Sequence, residues 1–239
     1  MTGMTADLRE LTEALHAQWQ ALSAWLREAD LDDDALESPS VLPGWSVGAL
    51  VTHLGRVMDT LAAAGPVPPG TVPMSLAEYL GTYPQRAEEI AEATRALDAR
   101  TRGDRLGAAD GAAARGFAAL DRLAAADDVV QARRGPLTLR DMVASRVVEL
   151  VVHADDLDRS LPGVSGSPRD RGALDLAAAE LLAIVVARGG WHVEIEDPLT
   201  WVRLAAGRAA YDVDVLARAL RPEFTAGGVP DLGRVLPVL

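Results

Sequence analysis

Four histidines and no cysteine occur in 239 residues, so few side chains could hold a metal ion or attack as a nucleophile. Glu149 and His153 stand four residues apart, which on a helix places them on one face, a turn from each other. A carboxylate and an imidazole stacked in this way can reach the same cation. His53 falls between Leu50 and Val57 at helical spacing, on the apolar stripe of another segment. A charged Glu149 among apolar neighbours is costly unless compensated, and a divalent cation shared with two imidazoles would compensate it. Spacing alone leaves a simpler reading open, in which His53 is a satisfied core histidine and the Glu/His pair is structural. His16 lies opposite the Leu11/Leu15 stripe and His192 in a strand-like piece, so neither joins the group. Without cysteine there are no disulfides, thiolate ligands or protein thiol nucleophiles. Any thiol chemistry would need sulfur from a small molecule.

The elements that must position these residues are helical. Leu8, Leu11, Leu15, Trp19, Leu22 and Leu26 mark one apolar face from about Thr5 to Ala29,. The acidic, proline-containing run LDDDALESPSVLPGW then breaks the helix,. Ser46 caps a second helix, about Val47 to Ala64, with Leu50, Leu54, Val57 and Leu61 as its stripe,. Ser75 with Glu78 matches a capping box and opens a third helix to about Arg100, with Pro84 kinking it or starting its main body,. The polar run TRGDRLG separates it from an Ala-rich helix with a thin apolar face, around Ala112 to Ala126. Thr138 caps the next helix, which runs to about Leu161 and is apolar nearly all round; such a helix belongs at the centre of a bundle. Asp170 to Arg188 form one more helix, WHVEIED alternates like a strand, and Asp197-Pro198 opens a helix through LTWVRLAAGR,.

Hydrophobic residues make up 49% of the chain, yet charged residues interrupt every run that might span a bilayer. The start, MTGMTADLRE, lacks the pattern of a secretory signal,, so a cytoplasmic protein is expected. A formal charge of −12 and a pI of about 4.7 argue against a nucleic-acid surface,. They leave room for an anionic small substrate in a local arginine pocket. All 23 basic residues are arginine, as avoidance of AT-rich codons would produce.

Two motifs carry a resemblance. LPGWSVGALVTHLG resembles the entry to the second helix in the mycothiol-dependent maleylpyruvate isomerase family, a branch of the DinB-like metal-binding four-helix bundles. RVVELVVHADDL resembles that family's second signature, R-x-x-E-x-x-x-H-x-x-D-L. The likeness covers about the first two-thirds of the chain. It implies a mainly α fold, an up-down bundle over residues 1–163 and a small α/β appendage over 164–239. It also implies His53, Glu149 and His153 as ligands of a divalent metal, zinc foremost, with a position left open for catalysis. Arg146 and Asp156, a turn to either side, read as groups that orient the ligands or as an ordinary polar helix face.

DPLTWVRLAAGRAAYD resembles a C-terminal sterol-carrier-like module. Only WHVEIED stands between the preceding helix and Asp197, so the module is shortened. Arg208 matches a basic residue that assists thiol or anion binding in related isomerases, or packs the appendage on the bundle. The function implied is a metal-dependent enzyme using mycothiol on an electrophilic small substrate. In an isomerase the thiolate adds to an activated cis double bond, rotation follows, and elimination releases the trans product; in a transferase the adduct is retained. A non-catalytic metal- or lipid-binding protein and a metal-dependent hydrolase are the alternatives. Expected partners are the thiol and the electrophile, without nucleic acid or membrane, and a homodimer is an open option.

Overall fold

The computed structural model describes residues 6–123, 129–224 and 228–239. Thr5, at the expected start of the first helix, and Ala124 to Ala126, at the expected end of the Ala-rich one, lie outside them. Helix α1 (Leu8–Ala29) opens on a reciprocal cap in which Asp7 and Glu10 each accept the other's backbone N–H,. Its stripe Leu11, Leu15, Trp19, Leu22 and Leu26 is buried. The segment expected to be a break holds a short helix, α2 (Asp33–Glu37), capped by Asp32. Helix α3 (Val47–Ala62) starts where Ser46 Oγ accepts the Ala49 N–H at 3.1 Å.

The third helix expected from Ser75 to Arg100 is divided. After strand β1 (Gly65–Pro66), the Ser75/Glu78 box opens only α4 (Leu76–Leu80). Pro84 begins a single 3-10 turn, and the main body, α5 (Ala87–Thr101), follows. Proline has no N–H to give the preceding turn, so a helix restarts there more readily than it continues. The Ala-rich helix, α6 (Arg105–Leu123), begins well before Ala112. Asp104 accepts the Gly107 N–H at 2.9 Å and so turns a polar break into a helix start,.

Strands β2 (Val129–Ala132) and β3 (Gly135–Thr138) form an antiparallel hairpin, and β1 pairs with β2. No strand was expected there, because four-residue strands leave almost no periodic signal. Helix α7 (Leu139–Ser160) is capped by Thr138 and buried almost continuously from Leu139 to Leu157.

Helices α1, α3, α6 and α7 close a ring of neighbours, the four-helix bundle that the sequence implies. Its third member is the Ala-rich α6, and α5 packs outside on α3 and α6. Small residues explain the choice. A Cβ on Gly116 would stand 2.7 Å from the Met58 carbonyl oxygen, and one on Gly55 3.0 Å from the Ala109 Cα. The thin apolar face of α6 is therefore a close-packing face.

The tail adds α8 (Arg171–Gly189), β4 (Val193–Ile195), α9 (Pro198–Ala205), α10 (Val213–Ala219) and β5 (Leu220–Pro222), with β4 antiparallel to β5. Helix α8 packs on α1 and α7. One continuous hydrophobic core includes Trp201, Leu216, Leu232 and Val238 with the bundle residues, and the Trp201 indole donates to the Ala178 carbonyl at 3.0 Å. Asp155, buried on α7, pairs with Arg203 at 2.7 Å and Arg169 at 3.2 Å. Among the described residues no helix is long and apolar enough to cross a membrane.

Candidate metal centre

His53 on α3 meets Glu149 and His153 on α7 where the two helices pack, with each residue more than nine-tenths buried. One ligand atom from each lies within 4.8 Å of the others. Glu149 Oε2 is 3.4 Å from Nε2 of His153 and 3.7 Å from Nε2 of His53. The imidazoles meet edge to face at 4.7 Å, and Trp45 stands edge-on to His53 at 5.3 Å.

What lies behind the imidazoles fixes their orientation. The Thr94 hydroxyl on α5 donates to the Ile90 carbonyl at 2.8 Å, which leaves its oxygen to accept from Nδ1 of His53 at 3.3 Å. Asp156 accepts from Nδ1 of His153 at 3.0 Å. With both Nδ1 atoms engaged as donors, both Nε2 atoms turn to Glu149. Burial pushes the His53 pKa down to about 4, so at neutral pH this ring is uncharged and its Nε2 carries a lone pair. Burial also acts to lower His153, but Asp156 and Glu149 outweigh it and raise that pKa. For Glu149, burial acts upward. The neighbouring imidazoles of His153 and His53 and the charge of Arg146 nevertheless hold it well below the usual carboxylate range. An ionised carboxylate and two oriented imidazoles are a donor set that suits a divalent cation.

The outer groups form two chains. Arg146, buried on α7, donates to the Tyr83 hydroxyl at 2.6 Å and lies 3.8 Å from Glu149. Asp156 is fully buried and also accepts from Nε of Arg208 at 3.0 and 3.1 Å, so a residue of the tail is joined through Asp156 to His153. Arg146, Asp156 and Arg208 thus all stand at the cluster. Arg208 reaches it through a carboxylate. His16 stacks on Phe117 with centroids 3.8 Å apart, and His192 is exposed beside Glu223; neither is near the cluster.

The three residues sit in the wall of a cavity of about 380 Å³. Leu42, Pro43 and Trp45 give the cavity apolar lining, and Arg56, Arg133, Arg134, Arg146 and Arg208 bring positive charge to a chain that is acidic overall. Sequence reasoning missed Thr94, Tyr83, Arg56 and the hairpin pair Arg133–Arg134. The one signal available for Arg56 was its position a turn after His53.

Fold and cluster together define a helical-bundle protein with a candidate metal centre opening on an arginine-lined cavity. The chain belongs to the family of the mycothiol maleylpyruvate isomerase N-terminal domain, whose model matches residues 15–158. Two solved structures share the fold. The crystal structure of the mycothiol-dependent maleylpyruvate isomerase is 18% identical, covers 95% of this chain and 96% of that chain, and gives a TM-score of 0.55. A histidine-to-alanine mutant of the mycothiol-dependent maleylpyruvate isomerase is 19% identical with the same coverage and a TM-score of 0.54. The likeness extends over the tail as well as the bundle. No curated protein gives a significant match.

Proposed function

We propose that the chain is a metal-dependent enzyme that uses a small-molecule thiol, mycothiol, to isomerise an electrophilic small substrate or to form an adduct with it. The observation that carries this reading is the convergence of His53, Glu149 and His153 on one point of a substrate-sized cavity, in a member of this family. Those three residues would hold the metal, zinc first among the candidates. When bound, such a cation supplies positive charge that favours a thiolate over a thiol at neutral pH.

The rest is the work of the chain's own residues. Thr94 and Asp156 keep the Nδ1 protons and so present both Nε2 atoms to the centre,. With the two imidazoles, Arg146 keeps Glu149 ionised, and it is itself steadied by Tyr83. Trp45 and Leu42 line the cavity with apolar surface, which reduces the water near a reactive sulfur,. We read residues 164–239 as a shortened module that closes this site through Arg208, which binds Asp156, and Leu239, which lines the cavity. The absence of cysteine from the chain agrees with a thiol brought from outside.

Metal analysis of protein purified without a nickel column is the first test, with one metal per chain expected. A metal-free protein whose content is unchanged in His53→Ala would overturn the reading. Incubation with mycothiol and a panel of electrophiles, against water alone, then separates thiol chemistry from hydrolysis.

A further inference from the structure

Five arginines line the cavity, and they fall into two groups. Arg146 and Arg208 have partners: Tyr83 and Glu149 for the first, Asp156 for the second. Arg56, Arg133 and Arg134 form no ion pair among the described residues. Arg56 lies on α3 a turn beyond His53, and its Nε is buried with no hydrogen-bond partner among the described residues. Asp59 and Glu89 influence it only from a distance, since Arg115 holds the first at 2.8 Å and Arg86 faces the second at 3.5 Å. Arg133 and Arg134 occupy the turn between β2 and β3, and Arg134 stacks over the Tyr83 ring at 3.9 Å. Tyr79, fully buried and also lining the cavity, has a hydroxyl with no hydrogen-bond partner among the described residues.

Burial and the charges of Arg133 and Arg134 lower the pKa of Arg56 and outweigh the distant Glu89 and Asp59, so the like charges act against one another at this wall. Holding like charges together at a cavity wall is unfavourable in the empty protein and becomes favourable when an anion arrives. Guanidinium groups suit carboxylate and phosphate oxygens in particular, through paired N–H donors. A buried Nε and a buried phenol without partners are further donors that such a group would satisfy.

We propose that Arg56, Arg133 and Arg134, with Tyr79 beside them, are the receptor for an anionic group, carboxylate or phosphate, on the electrophile that enters the cavity. That the anion belongs to an electrophile rests on the function proposed above. The receptor itself requires no metal. It holds the charged end of the substrate on the α3 and hairpin side and leaves the uncharged part free to meet the thiol. Arg56 and its neighbours are positioning and specificity residues, and neutral electrophiles are poor substrates.

Calorimetric titration of the full chain with succinate and with inorganic phosphate tests this. Saturable binding is expected, and the tighter of the two names the chemistry of the source. The double substitution Arg56→Gln with Arg134→Gln should weaken the preferred anion about 10- to 100-fold. Metal content and thermal midpoint should be unchanged, which shows that the variant is folded. Arg56→Lys should retain part of the affinity, and the exposed control Arg95→Gln should retain all of it. Three results would overturn the receptor: no binding of either anion by the wild type, full affinity in the double variant, or affinity that disappears in His53→Ala while surviving in the arginine variant. The last would place the anion on the metal. Arginine-dependent binding to a chain that carries no stoichiometric metal would instead remove the enzyme reading and leave the receptor standing.

Discussion

On the α7 side of the cavity, where His53 of α3 joins Glu149 and His153, each candidate ligand has a partner behind it, whereas on the side of Arg56 and the β2–β3 turn three arginines have no ion-pair partner among the described residues. His53 is backed by Thr94, His153 by Asp156 and Arg208, and Glu149 by Arg146 and Tyr83. Arg56, Arg133 and Arg134 form no ion pair among the described residues; Arg134 lies over the Tyr83 ring, and the charges of Arg133 and Arg134 act on Arg56. The difference separates two ways of preparing for a ligand. The α7 side is preorganised: its geometry is held by second partners, so little reorganisation accompanies binding. The arginine side stores unfavourable electrostatics that a ligand of opposite sign relieves.

The comparison can be broken most severely at its centre. His53→Ala should reduce bound metal from about one per chain to near none by elemental analysis; metal retained at wild-type level would mean that the α7 side is only a structural cluster. Asp156→Asn comes next. Loss of the carboxylate behind His153 should weaken metal affinity about 10- to 100-fold in competition with a chelator, and an unchanged value would reduce Asp156 to a tether for Arg208. Thr94→Val should cost less, about tenfold or below, because a neutral hydroxyl at 3.3 Å is a weaker anchor than a carboxylate at 3.0 Å,.

The smallest effect concerns the support beneath α3. Asp98 accepts from Thr52 at 2.9 Å and from Nε of Arg105 at 2.7 Å. Burial acts to raise its pKa, but the Arg105 and Thr52 hydrogen bonds outweigh this and lower it. A carboxylate whose folded pKa lies below its unfolded value stabilises fully above the unfolded value of about 4. That contribution is lost as pH falls from there through the folded value. Urea unfolding of the wild type should therefore weaken more steeply between pH 5 and pH 3 than that of Asp98→Asn. Equal slopes would show that Asp98 contributes nothing to the acid response.

How much of this could be read from the chain follows from how each feature is encoded. The leucine stripe of α1, the Ser46 and Thr138 caps and the apolar girth of α7 are local patterns, and each appears where its pattern predicts. The Glu149/His153 pair was visible because one helical turn brings the two residues together. Linking them to His53 needed the motif pair, since nothing local says that α3 packs on α7. Thr94 was invisible for a different reason: a threonine in a helix has no sequence mark of what its hydroxyl faces. The hairpin that carries Arg133 and Arg134 was missed because its strands are too short for alternation to register. The early start of α6 was missed because TRGDRLG has the glycines of a loop, and the side chain of Asp104 decided the matter.

One contact has a consequence for the tail. Arg208 and the imidazole of His153 share Asp156. Binding energies joined through a common group are reciprocal. Whatever occupation of Nε2 on His153 does to the docking of residues 206–208, that docking does in equal measure to the occupant. The tail is then a second handle on the centre, and hydrogen exchange at the end of α9 should register an event at the buried histidine.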